Sequence, residues 1–495
     1  MPDRGADLDT FRRAGHALVD RMADYLATVA ERPVSTPLRP ADLDARFAES
    51  VPQSGSEVDA VWEDVWERVV GDAIHLAHPM YLGHQVAPPL PQAALAEALI
   101  GLLNQSVAVW EMSPSATAVE RRVVRWLAEV AGMPEGADGT FVSGGSAANL
   151  TGLLAARQAR YPDGWLDGGR AWERAAILVS RNAHYSIERA AGVMGFGTDS
   201  VIPVGEGLHM TGPALLAAIE RARGEGREPF AVVATAGSTP TGSIDRLAEI
   251  GRVCTEAGLW LHVDAAHGGS LLLSEALKGR VAGIELADSI AWDPHKMMFL
   301  PISAGVVLVR EGARLATAFR QAAPYLFHEG EEDGPPPDLG TRTLQCSRRA
   351  DALKAWIALR VHGREGIADR IETVVETTRR LHGMLEEAND FEPCHQPESN
   401  ILCFRWLPAE PLAKVEMDRL QARIRERYNR SGAGWITSTV LEGRRVLRVT
   451  VMNPATGAAE LEALLEGLRA EGRRLSAGAG AGDPHGTVGE VGHRR

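Results

Sequence analysis

With 495 residues, 45% of them hydrophobic and 24% charged, the chain can bury one large core with a smaller unit beside it, and it has the composition of a soluble globular protein. Acidic residues outnumber basic ones by 65 to 52, for a formal net charge of −13, and no basic run accumulates, so nucleic acid and anionic membrane are excluded as partners. No stretch approaches the roughly 18 unbroken apolar residues of a membrane span, the N-terminus mixes acids and arginines where a secretory signal would be apolar, and the expected compartment is the cytoplasm.

In residues 8–29 the apolar positions Phe11, Ala14, Leu18, Met22 and Leu26 recur at helical spacing, and the proline-rich RPVSTPLRP that follows cannot continue a helix. A second helix is predicted over 57–71, which makes 1–75 an N-terminal helical segment. HPMYLGHQVAPPLPQ then begins at 78; His84 and Gln85 are its polar residues placed to meet a ligand, with Trp110 and Glu111 as further candidates for the same pocket. From about 140 to 310, short apolar stretches such as AAILVS, FAVVATAG, LWLHVDAA and AGVVLVR alternate with helical runs such as PALLAAIERAR. That alternation predicts an α/β domain, assigned to 76–383, with a mostly parallel sheet covered on both faces. Ligands of such sheets bind beyond the carboxyl ends of the strands, where Ser146, His184, Thr239, Asp264 and Lys296 would gather.

Three stretches carry chemistry. In ADSIAWDPHKMMFL, Lys296 follows a short strand, Asp293 and Pro294 end that strand, and apolar residues keep water away. An amine shielded from water inclines to the neutral form that attacks a carbonyl to give a Schiff base. In LWLHVDAAHGGS, Asp264 stands where a strand runs out into small residues and invites a cationic partner. In FVSGGSAANL, a strand passes through Gly144, Gly145 and Ser146 into a helix, whose free N–H groups and positive dipole end suit a phosphate. A lysine imine, an acid to hold a pyridinium nitrogen and a phosphate turn are together the signature of pyridoxal phosphate (PLP). The four cysteines, Cys254, Cys346, Cys394 and Cys403, lie too far apart for a zinc site or redox pair, and no metal is expected.

The order SGGSAANL, AHYSIERAA (183–191), ATAGSTPTGSID (234–245), HVDAAHGG (262–269) and DPHKMM (293–298) resembles the PLP-dependent group II amino acid decarboxylases over about 10–470. That family includes the aromatic amino acid, glutamate, cysteine sulfinate and 2,4-diaminobutyrate enzymes. The resemblance implies fold type I with a seven-stranded-type central sheet, a homodimer in which the N-terminal segment packs on the partner subunit, and an amino acid substrate. It implies PLP as an imine on Lys296, with Gly145, Ser146, His184, Thr239, Asp264, Ala266 and His295 binding the cofactor and Lys296, His184 and Asp264 catalytic. His184 matches a histidine that stacks on the cofactor ring and can relay a proton.

Beyond Arg310 the run HEGEEDGPPPDLGTRTLQCSRR resembles the family's mobile lid, with the flexible composition of one. Many members carry there a tyrosine that supplies a proton after CO2 leaves; here Tyr325 stands at the entry and none lies between Leu326 and Leu344. Two alternatives therefore stand beside plain decarboxylation: an oxidative, aldehyde-forming reaction, against which the retained His184 counts, and a non-catalytic PLP-binding relative, against which Lys296, Asp264 and His184 count. Residues 384–475 read as a small C-terminal α+β domain with strands in SNILCFRW and RRVLRVTVMNPA and a closing helix in GAAELEALLEGLR. Arg448, inside RVLRVTV, matches an arginine that binds the substrate α-carboxylate in the glutamate branch, and a guanidinium suits that task. The glycine- and alanine-rich 476–495 is expected to be disordered. For the side chain of the substrate, LNQS and SPSAT resemble the diaminobutyrate branch and DLGTRTLQCSRR the branch taking acidic substrates; a small polar or diamino acid is expected over a bulky aromatic one.

Overall fold

The computed structural model describes residues 4–478 apart from 320, 322, 324 and 328–335. Residues 328–335 of the expected lid, His328 among them, and most of the expected disordered tail lie outside the described residues.

Seven strands build the large sheet: β1 (Asp138–Val142), β2 (Ala175–Ser180), β3 (Val201–Val204), β4 (Glu228–Thr235), β5 (Trp260–Asp264), β6 (Ser289–Trp292) and β7 (Gly305–Val309). They lie in the order β1-β7-β6-β5-β4-β2-β3. β7 runs antiparallel to both of its neighbours and the other pairings are parallel. Continuous burial along β2, β6 and β7 follows from helices on both faces, which is why these strands read as unbroken apolar runs and not as alternation. The carboxyl ends of β2, β4, β5 and β6 all open on one edge. At that edge β1 turns through Gly144, with φ +155°, into the helix Gly145–Arg160. A Cβ on Gly145 would stand 2.9 Å from both Ala266 Cβ and Asp293 Oδ2, so only glycine lets this helix start lie so close to the ends of β5 and β6.

The C-terminal unit is a second sheet, ordered Tyr81–Leu82, Trp435–Leu441, Arg444–Thr450, Ile401–Trp406 and Phe391–Pro393, closed by the helix Ala458–Gly478. The two strands and the closing helix expected there are present. Trp435–Leu441 adds a strand that sequence reading did not single out. Tyr81–Leu82 pairs in parallel with Trp435 and Ile436, so the start of the segment assigned to 76–383 belongs to this second sheet. The boundary placed at 383/384 falls inside the helix Ala352–Glu387, which carries a break at Gly363 (φ 67°) and runs from the large core to the small one.

At the N-terminus Arg4–Thr28 is helical, and the predicted second helix is an α-helix over Val58–Val65 continued by a π-turn over Trp66–Val70. Ion pairs Arg13–Asp59 and Arg21–Glu63 tie the two together. On the first helix, Ala14, Leu18 and Met22 of the apolar stripe are half-buried, Ala14 and Leu18 facing Trp62 and Trp66, whereas Leu8 and Phe11 at its start are 61% and 64% exposed. Among the described residues no helix is long and apolar enough to cross a membrane.

Candidate active site

Between the carboxyl ends of the strands and the start of the helix Gly145–Arg160 lies a cleft of about 300 Å³. Gly145, Ser146, His184, Thr239, Asp264, Ala266, His295 and Lys296 all line it, so eight residues drawn from five separate stretches of sequence converge on one space. His84 and Arg448 do not line it, nor do Trp110 and Glu111. His84 is exposed beside Tyr81, whose hydroxyl accepts from the His84 backbone N–H at 3.2 Å, and its pKa lies below the usual histidine value through burial, with Arg448 and Arg425 adding to the effect. Arg448 is buried under the second sheet; its Nη1 donates to Thr437 Oγ1 at 3.1 Å, while Nε and Nη2 have no hydrogen-bond partner among the described residues. The Trp110 backbone N–H donates to Asp338 Oδ1 at 2.8 Å, which ties its segment to the described part of the lid run. Tyr325 is 84% exposed and stands away from the cleft.

Lys296 Nζ lies 3.3 Å from Asp293 Oδ2. The amine thus has a carboxylate partner where the sequence offered only apolar neighbours, and Asp293, read as a strand terminator, also lines the cleft. His295 Nδ1–H donates to Ala304 O at 2.8 Å, and a Cβ on Gly144 would lie 3.4 Å from the same imidazole, which places His295 against the glycine turn. Asp264 is held at both oxygens: Asn149 Nδ2 donates to Oδ2 at 2.9 Å and the Ala266 backbone N–H to Oδ1 at 3.1 Å. Thr239 belongs to a loop stiffened by mutual hydroxyl bonds of Ser238 to Thr241 (2.9 Å) and to Ser243 (2.8 Å).

Sequence reading missed Asn149 and His267, which also line the cleft. Asn149 is a buried amide in the mostly apolar first half of its helix, and that was its available signal. His267 Nε2–H donates to Asn400 Oδ1 at 2.6 Å, because the Asn400 amide nitrogen is committed to Val451 O at 2.7 Å. Burial first, and then the charge of Lys296, push the His267 pKa down to about 3, while burial takes His262 down to about 4. An unfolded histidine binds its proton near 6.5, so between that value and about 3 the unfolded chain carries the extra proton and stability falls as the pH drops. The urea midpoint is expected to fall between pH 7 and pH 4.5, and to fall less in His267→Gln. Equal falls in the two proteins would show that His267 does not contribute.

A helix start with free N–H groups, an anchored carboxylate and a lysine amine around one cleft, on a sheet of this order, define a fold type I PLP enzyme. The cleft fits the cofactor on its own terms: glycines where a Cβ would intrude, a phosphate-binding helix end, and an acid on the other wall. The chain belongs to the pyridoxal-dependent decarboxylase family, whose conserved domain matches residues 40–407. It is 33% identical to an L-2,4-diaminobutyrate decarboxylase of Rhizobium meliloti, over 94% of this chain and 92% of that one. It is 29% identical to an aromatic-L-amino-acid decarboxylase of Bacillus atrophaeus, over 94% and 96%. The crystal structure of mouse CSAD in apo form superposes with a TM-score of 0.88 at 30% identity, covering 95% of this chain and 99% of that one. The protein is accordingly a PLP-dependent carboxy-lyase that decarboxylates an amino acid.

Proposed function

We propose that the chain decarboxylates a small polar or diamino L-amino acid to the corresponding amine, as a cytoplasmic homodimer, with Lys296, Asp264 and His184 as its catalytic residues. The observation that carries the assignment is the convergence of these three with Gly145, Ser146, Thr239, Ala266 and His295 on one cleft. Bound PLP supplies an electron sink for the Cα bond that breaks. The N–H groups at the start of Gly145–Arg160, with Ser146 and His295, would hold its phosphate, and Lys296 its carbonyl carbon. Asp264, fixed by Asn149 and Ala266, would face its ring nitrogen; Thr239, Ala266 and His184 would hold the ring between them. Loss of CO2 leaves a carbon that takes up a proton, and with Tyr325 outside the cleft, His184 is the proton carrier this reading assigns. Arg448, with two buried unpaired nitrogens, supports the carboxylate clamp, since a buried guanidinium is stabilised by an anion that meets its donors. The exposed Leu8 and Phe11 at the start of Arg4–Thr28 support packing on a second copy.

For the substrate, the cleft wall supports a polar side chain: among the described residues its one large apolar residue is Ile302, and no Phe, Tyr or Trp lines it. The diaminobutyrate relative leans the same way, the aromatic one does not, and nothing favours the aldehyde-forming or non-catalytic alternatives. Competition decides. With equal amounts of 2,4-diaminobutyrate, glutamate, aspartate, tyrosine and tryptophan, the amines from the polar substrates are expected to dominate; dominance of tyramine or tryptamine would overturn the substrate reading and leave the PLP chemistry standing.

A further inference from the structure

Beneath the cleft runs a chain of buried hydrogen bonds. Trp260 Nε1 meets Ser289 Oγ at 2.8 Å, Ser289 Oγ meets His262 Nδ1 at 2.8 Å, and His262 Nε2 meets Asn149 Oδ1 at 2.9 Å. Asn149 Nδ2 then reaches Asp264 Oδ2 at 2.9 Å and Ser186 Oγ at 2.9 Å, and Ser186 Oγ reaches His184 Nδ1 at 2.9 Å.

Both ends of this chain have a fixed sense. An indole N–H only donates, so Ser289 Oγ accepts from Trp260; and because His262 Nε2 faces Asn149 Oδ1, which only accepts, the neutral ring turns a bare Nδ1 to Ser289, whose single proton goes there. That leaves the His262 proton on Nε2, which donates to Asn149 Oδ1. The amide is oriented by the same requirement, because its NH2 must face Asp264, whose carboxylate only accepts. The second amide proton goes to Ser186 Oγ, which leaves the serine's own proton free to go to His184 Nδ1. From the other end, the Ser186 backbone N–H also points at His184 Nδ1, at 3.3 Å, and a backbone N–H too can only donate. Both directions meet on one arrangement with every bond satisfied.

We infer that this one-way chain fixes His184 as the neutral Nε2–H tautomer, which makes Ser186, Asn149, His262 and Ser289 positioning residues for His184 and Asp264. The proton assignment stands on the hydrogen bonds alone, whereas its catalytic use rests on the function proposed above. His184 faces Asp264 and Asp293, which favour its charged form, and Lys296 and Arg189, which oppose it. Burial is the largest influence and leaves its pKa below the usual histidine value. The donor from Ser186 adds to this, because a hydrogen bond into Nδ1 exists only while the ring is neutral.

The test uses the PLP-loaded enzyme labelled with 15N-histidine. Long-range 1H–15N correlations report which nitrogen carries the proton, and His184→Gln and His262→Gln identify the two rings. Wild type at pH 7.5 is expected to show both rings as Nε2–H; a proton on Nδ1 of either ring, or on both nitrogens of His184, overturns the inference. In Ser186→Ala the His184 titration midpoint is expected to rise by about one pH unit, the worth of one hydrogen bond, with kcat lowered, KM little changed and its acid limb moved up in step. Ser186→Thr is expected to restore both. An unchanged or lower midpoint in Ser186→Ala overturns the inference, and if that variant does not fold, the wild-type tautomers decide. A raised midpoint with unchanged kcat upholds the chain and instead removes His184 from catalysis.

Discussion

Lys296→Ala is expected to lose decarboxylation on the order of 10³-fold or more, the scale on which removal of a covalent nucleophile falls. It is also expected to lose the PLP that borohydride fixes onto the wild-type protein. Lys296 is the one amine that lines the cleft among the described residues. Lys354, the other lysine buried nearby in the fold, is committed to Glu97 at 2.8 Å and Asp351 at 2.9 Å and cannot take its place. Because Lys296 also pairs with Asp293, a loss in the Ala variant has two possible sources, the amine or the charge. Lys296→Arg separates them: a guanidinium preserves the charge beside Asp293 and offers no comparable nucleophile, so it should be as inactive as Ala. Mass spectrometry of borohydride-treated, denatured protein reads the attachment directly. PLP still fixed to the chain in Lys296→Ala would move the assignment to another residue.

Lys296, Asp264 and Gly145 were legible in the sequence because each sits at a strand end where local pattern alone marks a change of environment. Apolar runs stop, small residues begin, and one charged or permissive residue stands at the junction. What stayed hidden depends on contacts between distant parts of the chain. His262 lies in an apolar strand and meets Asn149 across 113 positions; within either stretch each is merely a polar residue among apolar ones. Tyr81–Leu82 is too short for alternation to show, and its pairing with Trp435 follows from the second sheet needing a cover for its edge strand. The helix Ala352–Glu387 reads as continuous apolar periodicity, so the place where the chain passes from one core to the other has no mark in the sequence. His84 and Arg448 were chosen by type and resemblance, and neither lines the cleft; the charge of Arg448 is nonetheless felt both by His84 and by His267, which does line it.

Asp264→Ala is expected to cut turnover by roughly 10²- to 10³-fold or more, the range seen when a preorganised electrostatic partner of a reacting group is removed. The geometry makes the carboxylate a fixed charge: Asn149 and Ala266 hold one oxygen each, and the side chain is buried at 6% exposure, so water cannot screen it as it would on a surface. In the proposed role it would keep a cofactor ring nitrogen in the cationic form, the form that supplies the electron sink. Binding should suffer less than turnover, because the phosphate site proposed at Gly145 and Ser146 is left untouched by the substitution. PLP content by absorbance and turnover per bound PLP are therefore read separately. Asp264→Asn sharpens the comparison, since it keeps the volume and removes the charge; it should lose nearly as much turnover as Ala if charge is the cause, and far less if shape is. Turnover per bound PLP within threefold of wild type in both variants, ~0.65 kcal/mol, is too small for an electron-sink partner and would remove Asp264 from that role.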